Sequence, residues 1–175
     1  FQIFNALMAT KEFGKGPASY GLLGTYVAIG SLAGALISAR LERFRDSMLV
    51  VRLGVLFSLV VIATAFMPTY WTYSLWLPIG GVSALAMLIS ANSYVQVNSD
   101  PAVRGRVMGI YLLIFMGGTP LGSLFIGYMT EAVGVRETIF ICGVIPLIAA
   151  TLLWVFFKDK LQKPDDLRVS TILKR

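Results

Sequence analysis

Apolar residues in this chain are grouped into five long stretches, which short polar or charged segments separate. Each stretch has about 20 residues, the length of α-helix that crosses the hydrocarbon core of a bilayer. We predict five full transmembrane helices, at residues 18–39, 48–67, 70–94, 107–129 and 137–157. Connections this short make consecutive helices antiparallel neighbours. The pattern therefore predicts an all-α membrane protein.

The first nine residues are also apolar, apart from Asn5 and Gln2. A helix of about ten residues rises only about 15 Å, which is half of the hydrocarbon core. We therefore expect this segment to be the end of a truncated first helix, and the chain to be a fragment. The predicted domains are a transmembrane bundle at residues 1–157 and a charged cytoplasmic tail at residues 158–175.

Basic residues are distributed unevenly between the two sets of connections. One set holds only Lys11, Lys15 and Arg136. The other set, with the adjacent helix ends and the tail, holds Arg40, Arg43, Arg45, Arg52, Arg104, Arg106, Lys158, Lys160, Lys163, Arg168, Lys174 and Arg175. Because cytoplasmic segments carry the excess of Lys and Arg, we predict that the second set and the C-terminus are cytoplasmic. The net charge of +6 then suits anionic lipid headgroups and not nucleic acid.

Composition argues against an enzyme. Hydrophobic residues make up 57% of the chain and charged residues 14%, a balance outside the range of soluble domains. There is no histidine, and the single cysteine, Cys142, lies within the last apolar stretch. All nine acidic residues fall in connections, span ends or the tail, so no span carries a carboxylate near its middle. We predict no catalytic residue, no metal, no cofactor and no ion relay in this chain.

An internal repeat appears when the chain is shifted by 88 residues against itself. The shift places Gly21, Gly30 and Gly34 over Gly109, Gly118 and Gly122. The spans then pair in order, and the two copies cross the membrane in opposite directions. Chance is the alternative, because glycine is common in membrane helices. We favour a real repeat, since inverted three-helix repeats are typical of transporters.

Glycines four residues apart lie on one helix face, where another backbone can approach closely. For Gly30 and Gly34 we expect simple helix packing. In the fourth span Pro120 lies between Gly118 and Gly122 and removes a backbone donor, which predicts either a hinge or a static kink. The third span opens with aromatic residues that we interpret as interfacial anchors, namely Tyr70, Trp71, Tyr73 and Trp76.

The connection before the fourth span combines polar and basic residues. Asp100 followed by proline is a good helix start, with an acceptor side chain at the cap. Arg104 and Arg106 then reach the membrane surface, close to Asp100 and Gln96. Two interpretations stay open: the arginines only anchor the helix, or they form a charged inner gate.

This connection also carries a family resemblance. Gln96, Pro101 and the run from Arg104 to Arg106, followed by the Gly117–Gly122 segment, resemble the loop between the tenth and eleventh helices of major facilitator superfamily exporters of the enterobactin-exporter and macrolide-efflux type. The resemblance implies that the chain is the C-terminal six-helix half, whose partner is a missing N-terminal half. It further implies a bacterial inner-membrane protein with a central cavity, alternating access and proton antiport.

The resemblance also implies which helices line the cavity. The polar residues on those helices are Asn5, Tyr26, Ser31, Ser83, Tyr111 and Thr119. Each either faces the substrate or bonds to neighbouring backbone. The expected function is efflux of a small hydrophobic or amphipathic molecule. The alternatives are lysophospholipid movement between leaflets, and a membrane anchor or partner-binding subunit that transports nothing.

Overall fold

A computed structural model describes residues 2–41 and 47–161, with side chains for residues 2–40 and 48–156. All secondary structure in these ranges is helical. The elements are α1 (Gln2–Leu7), a π-helical turn (Met8–Glu12), α2 (Pro17–Leu41), α3 (Ser47–Ala65), α4 (Tyr70–Asn98), α5 (Arg104–Val133) and α6 (Val135–Leu161). The helices α2 to α6 are long and apolar enough to cross a membrane, which confirms the predicted fold class. The predicted basic residues at 43 and 45, and the tail beyond residue 161, lie outside the described ranges.

Several helices extend beyond the apolar stretches that predicted them. Helix α4 continues to Asn98, because polar residues at headgroup level can still complete helical turns. The predicted break between the fourth and fifth spans, from residue 129 to residue 137, is too long: only Gly134 separates α5 from α6. Its φ of 105° ends α5, and its amide donates to the Thr130 carbonyl. Glycine favours this backbone region because it has no Cβ.

Asp100 does not cap α5 as predicted. Its carboxylate accepts a hydrogen bond of 2.9 Å from the amide of Ala102, which closes a tight turn before the helix. Helix α5 begins at Arg104, after a cap residue, Val103, that makes no side-chain cap bond. Short acidic side chains can bond to nearby backbone amides in turns as well as at helix caps. The Asp100 side chain bonds within the turn and therefore does not cap the helix.

The helices alternate in direction, so the bundle has two distinct ends. At one end Arg136, in the first turn of α6, donates to the carbonyls of Ala65, the last residue of α3, and of Met67. At the same end the Tyr70 hydroxyl, at the start of α4, donates to the Ser19 carbonyl of α2. We call this the Arg136 end. The opposite end, where α4 finishes and α5 starts, is the Arg104 end.

Helices α2 and α4 are in backbone contact. A methyl group built on Gly30 would lie 2.0 Å from the carbonyl oxygen of Pro78, and one on Gly34 would lie 2.7 Å from that of Val82. From the other side, a methyl group on Gly81 would lie 2.4 Å from the Val27 carbonyl. Only glycine permits so close an approach. The packing role predicted for Gly30 and Gly34 is confirmed.

The buried core lies toward the Arg136 end, where the short α1 is enclosed by the long helices. Its members are Phe4, Met8, Ala9, Leu23, Val61, Ala65, Tyr73, Leu77, Val135 and Ile139. Helix α5 contributes none of these residues. Its only buried residue is Thr130, and most of its apolar side chains are exposed.

Candidate transport site

One predicted site residue, Asn5, lies in the core and not on an open surface. The Tyr73 hydroxyl donates a hydrogen bond of 2.8 Å to the Asn5 side-chain oxygen. The two residues are 0% and 2% exposed, respectively. The Phe13 ring meets the Tyr73 ring edge-on, with centroids 5.7 Å apart. The pair therefore ties α1 to α4 in a dry environment, where a satisfied polar pair fixes the geometry.

The prediction that Tyr73 is an interfacial anchor is wrong, because the residue is fully buried. Its neighbour Trp71 is exposed, as an anchor would be. On a helix adjacent positions point about 100° apart, so an aromatic cluster always has members on more than one face. The signal available in the sequence was the lone Asn5, which needed a buried partner.

Three further candidates lie on α2 and α4. Ser31 is half-buried, and its amide faces Gly81 in the close contact between these helices. Ser83 is buried, and its hydroxyl donates to the Gly80 carbonyl at 3.0 Å. Tyr26 packs partly buried against the core. The Ser83 hydroxyl is therefore already satisfied by backbone in this conformation.

The last two candidates, Tyr111 and Thr119, are on α5. The Tyr111 ring stacks on the Phe115 ring, with centroids 6.3 Å apart and planes within 6°. The exposed Thr119 hydroxyl donates to the Phe115 carbonyl. In the described ranges, no hydrogen bond joins any two of the six cavity candidates. Their assignment to a substrate cavity stays a prediction.

The predicted hinge lies within a continuous helix. Helix α5 passes through Pro120 without a break, and the Ser123 hydroxyl donates to the Pro120 carbonyl at 2.8 Å. Methyl groups built on Gly118 or Gly122 would meet nothing within 4 Å. The glycine face of α5 is thus open, unlike that of α2.

The four predicted gate residues contact only their own neighbourhood. Arg104 donates to the Ser99 carbonyl at the end of α4, at 3.3 Å. The Gln96 amide donates to the Asn92 side chain at 2.7 Å, and Asp100 closes the turn described above. Arg106 is exposed. All four residues lie at the Arg104 end, where a guanidinium can reach the exposed carbonyls of a helix end, but no hydrogen bond between them is found in the described ranges.

Arg136 joins three segments of the chain through polar contacts. Its Nε pairs with the Glu12 carboxylate at 2.5 Å. Its Nη1 donates to the carbonyls of Ala65 and Met67 at 3.1 and 2.8 Å. The guanidinium also lies 6.0 Å from the centroid of the Phe13 ring. This one side chain joins α6, the end of α3 and the π-helical turn, a role that the sequence did not reveal.

These features define the class of protein: a multi-pass, all-helical membrane protein with closely packed spans. The chain belongs to the transmembrane secretion effector family, whose model matches residues 4–173. This family places the chain among major facilitator superfamily transporters.

Two relatives agree with this assignment. An uncharacterised MFS-type transporter of Enterobacter sp. strain 638 is 24% identical over 107 residues, which cover 61% of this chain and 28% of the relative. An uncharacterised MFS-type transporter of Escherichia fergusonii is 22% identical over 138 residues, or 76% of this chain and 36% of the relative. The chain thus matches about a third of each relative. No solved structure matches it.

Proposed function

We propose that this chain is the C-terminal half of an exporter, of the enterobactin-exporter or macrolide-efflux type, that moves a small hydrophobic or amphipathic molecule by alternating access. The observation that carries the proposal is the open glycine face of α5. In the internal repeat Gly118 and Gly122 correspond to Gly30 and Gly34, which contact α4 through their backbones. Equivalent positions in two repeats are expected to bind equivalent helices.

The repeat supports a proposal for the helix that would pack against α5. Subtracting the offset of 88 from Asn98, the last residue of α4, gives position 10, which lies in the π-helical turn Met8–Glu12. The counterpart of α4 would therefore be a helix that ends where α1 and its π-turn end. The described α1 and π-helical turn are much shorter than α4. We propose that in the intact protein a longer helix at this position packs against the α5 glycine face.

The substrate class is inferred from the side chains that line the interior. Asn5 and Ser83 are satisfied within the bundle, and no acidic side chain is buried in the described ranges. A buried charge would be expected to accompany a charged substrate or an ion relay. We therefore infer an apolar or amphipathic substrate, with any proton-carrying carboxylate in the other half of the protein.

The orientation and the gate complete the proposal. Following the positive-inside rule, the Arg104 end faces the cytoplasm of a bacterial inner membrane. Arg104 and Arg106 would then hold the cytoplasmic ends of α4 and α5, and a change in these contacts would accompany the change in access. Pro120, between Gly118 and Gly122, is the proposed bending point.

Efflux from intact cells tests this function. Cells that express the full-length native protein are expected to accumulate less of a fluorescent amphipathic dye than the same cells without it. Arg104→Ala or Arg106→Ala is expected to restore accumulation at an unchanged protein level, whereas Arg52→Ala, an exposed arginine in the same half of the bundle, is expected to have little effect. Unchanged efflux in both variants would mean that Arg104 and Arg106 only anchor the helix at the membrane surface and do not form a gate.

The same cells can be tested for the alternatives. Uptake of a labelled lysophospholipid, without dye efflux, would replace export by movement between leaflets. If neither a dye nor a lysophospholipid moves, the result would favour the membrane anchor or partner subunit.

A further inference from the structure

A groove of about 790 Å³ lies at the Arg136 end, between the last turn of α3 and the first two turns of α6. Its lining residues are Ala65, Phe66, Pro68, Arg136, Glu137, Phe140 and Ile141. The exposed rings of Phe66 and Phe140 meet edge to face in this groove, with centroids 5.8 Å apart. Its walls are therefore mainly apolar and aromatic.

The groove lies mainly on the outer side of α6, while Ala65 of α3 belongs both to the core and to the groove lining. On α6 the core residues are Val135 and Ile139, and the groove residues Glu137 and Ile141 each follow two positions later. Two positions correspond to a rotation of about 200° around a helix. The groove therefore opens on the outer surface of the α3–α6 pair, which the bilayer surrounds.

Two groups of opposite charge, on Arg136 and Glu137, line this groove. A guanidinium has five N–H donors. In Arg136, Nε and Nη1 are used by the contacts described above, while Nη2 donates to no group among the described residues. The Glu137 carboxylate is exposed and likewise makes no hydrogen bond within these ranges. The groove thus offers one free cationic donor edge and one free carboxylate.

An apolar stripe continues from these charges along α6. Glu137, Ile141, Ile145 and Ile148 follow one another at helical spacing on one face. Ile145 and Ile148 are 55% and 52% exposed. From Glu137 to Ile148, twelve residues, the helix rises about 16 Å, close to half the thickness of a hydrocarbon core. The stripe has the length of an acyl chain in one leaflet.

We propose that this groove binds one phospholipid with a phosphoethanolamine headgroup. The phosphate accepts from Nη2 of Arg136, the ammonium donates to Glu137, and one acyl chain lies along Ile141, Ile145 and Ile148. A choline headgroup has no N–H to give the carboxylate, and a glycerol headgroup has no cation. The pair of charges therefore selects a zwitterionic lipid with a primary ammonium. This inference does not depend on the transported molecule.

Native mass spectrometry of the full-length native protein tests the site. The protein is mixed with equal amounts of phosphatidylethanolamine, phosphatidylcholine and phosphatidylglycerol that carry identical acyl chains. Because a hydrogen bond to a charged group is worth more than a neutral one, retained ethanolamine lipid is expected to exceed each of the others by about fivefold. Equal retention of the three lipids would overturn the proposal.

Matched variants distinguish specific lipid binding in this groove from non-specific lipid binding elsewhere on the protein. Glu137→Gln is expected to remove the preference for ethanolamine over choline, whereas Glu131→Gln, an exposed carboxylate at the same end of the bundle, should retain it. Ile141→Trp should lower retention of all three lipids, and Leu113→Trp, on the exposed face of α5, should not. If Glu137→Gln behaves as Glu131→Gln does, the headgroup assignment fails.

A competition experiment distinguishes binding of an intact lipid from binding of a free headgroup. Glycerophosphoethanolamine at millimolar concentration is expected not to displace the bound lipid, because it cannot occupy the isoleucine stripe. Displacement at that concentration would mean that the groove binds a soluble phosphate compound, and the lipid proposal would be wrong.

Discussion

Replacing Gly30 by alanine should separate α2 from α4. A Cβ at this position would lie 2.0 Å from the Pro78 carbonyl oxygen and 2.6 Å from its carbonyl carbon, whereas ordinary contact starts at 3.4 Å. The difference, 3.4 − 2.0 = 1.4 Å, has to be taken up by two backbones. No side chain can rotate away to relieve it, because the atoms in contact belong to the main chain.

The cost follows from this geometry. Overpacking of a tight interface costs about 1–3 kcal/mol, and a backbone clash belongs at the upper end of that range. Alanine recovers up to about 1 kcal/mol through its better helix propensity. Gly30→Ala should therefore destabilise the bundle by about 2 kcal/mol. Gly34→Ala, whose contact of 2.7 Å requires a shift of 3.4 − 2.7 = 0.7 Å, should cost less.

Helix α2 offers its own control. A methyl group on Gly21 would meet nothing within 4 Å, so Gly21→Ala changes propensity without a clash. Reversible unfolding of the full-length protein by detergent titration in bicelles, followed by tryptophan fluorescence, measures all three variants. We expect Gly21→Ala to be the most stable variant, Gly34→Ala to be less stable, and Gly30→Ala to be the least stable. Equal stability of the Gly30 and Gly21 variants would refute the close helix contact.

Three other substitutions test separate parts of the structure. Arg136→Lys keeps the charge but loses the guanidinium that reaches Glu12 and two carbonyls, and it should lower stability by about 1 kcal/mol after allowance for partial exposure. A melting temperature equal to that of Lys15→Arg would mean that these Arg136 contacts do not stabilise the bundle. Gly134→Ala places a Cβ on a residue with φ of 105° and close to the Glu137 carboxylate. We expect thermal unfolding to show a loss of about 1–3 kcal/mol in stability. Wild-type stability of this variant would contradict the positive φ at residue 134. Pro120→Ala should slow dye efflux without loss of stability if α5 bends there, and an unchanged efflux rate would indicate a static helix.

The sequence predicted the five spans because their apolar lengths match a bilayer, and it predicted the packing of Gly30 and Gly34 because small residues recur every four positions. It did not predict helix ends. Polar residues at headgroup level leave no apolar signal, so the extension of α4 to Asn98 and the single-residue break at Gly134 were missed.

Side-chain contacts were less predictable than helices. The Tyr73–Asn5 bond joins residues 68 positions apart, and the bond of Arg136 to Glu12 joins residues 124 apart. Nothing in local spacing indicates such pairs, since they depend on the three-dimensional order of the helices. The prediction that Asp100 caps α5 was wrong for a local reason, because its carboxylate accepts a hydrogen bond from the Ala102 amide in the preceding turn.

Reconstitution in liposomes tests most directly the claim that this chain is one half of a transporter. Full-length native protein and residues 1–175 alone are placed in vesicles with an imposed pH gradient and a panel of amphipathic dyes. We expect dye-dependent proton movement from the full-length protein and none from residues 1–175, because helices α2 to α6 carry no acidic residue near the middle of the membrane and the glycine face of α5 is open. Dye-dependent proton flux from residues 1–175 alone would contradict it.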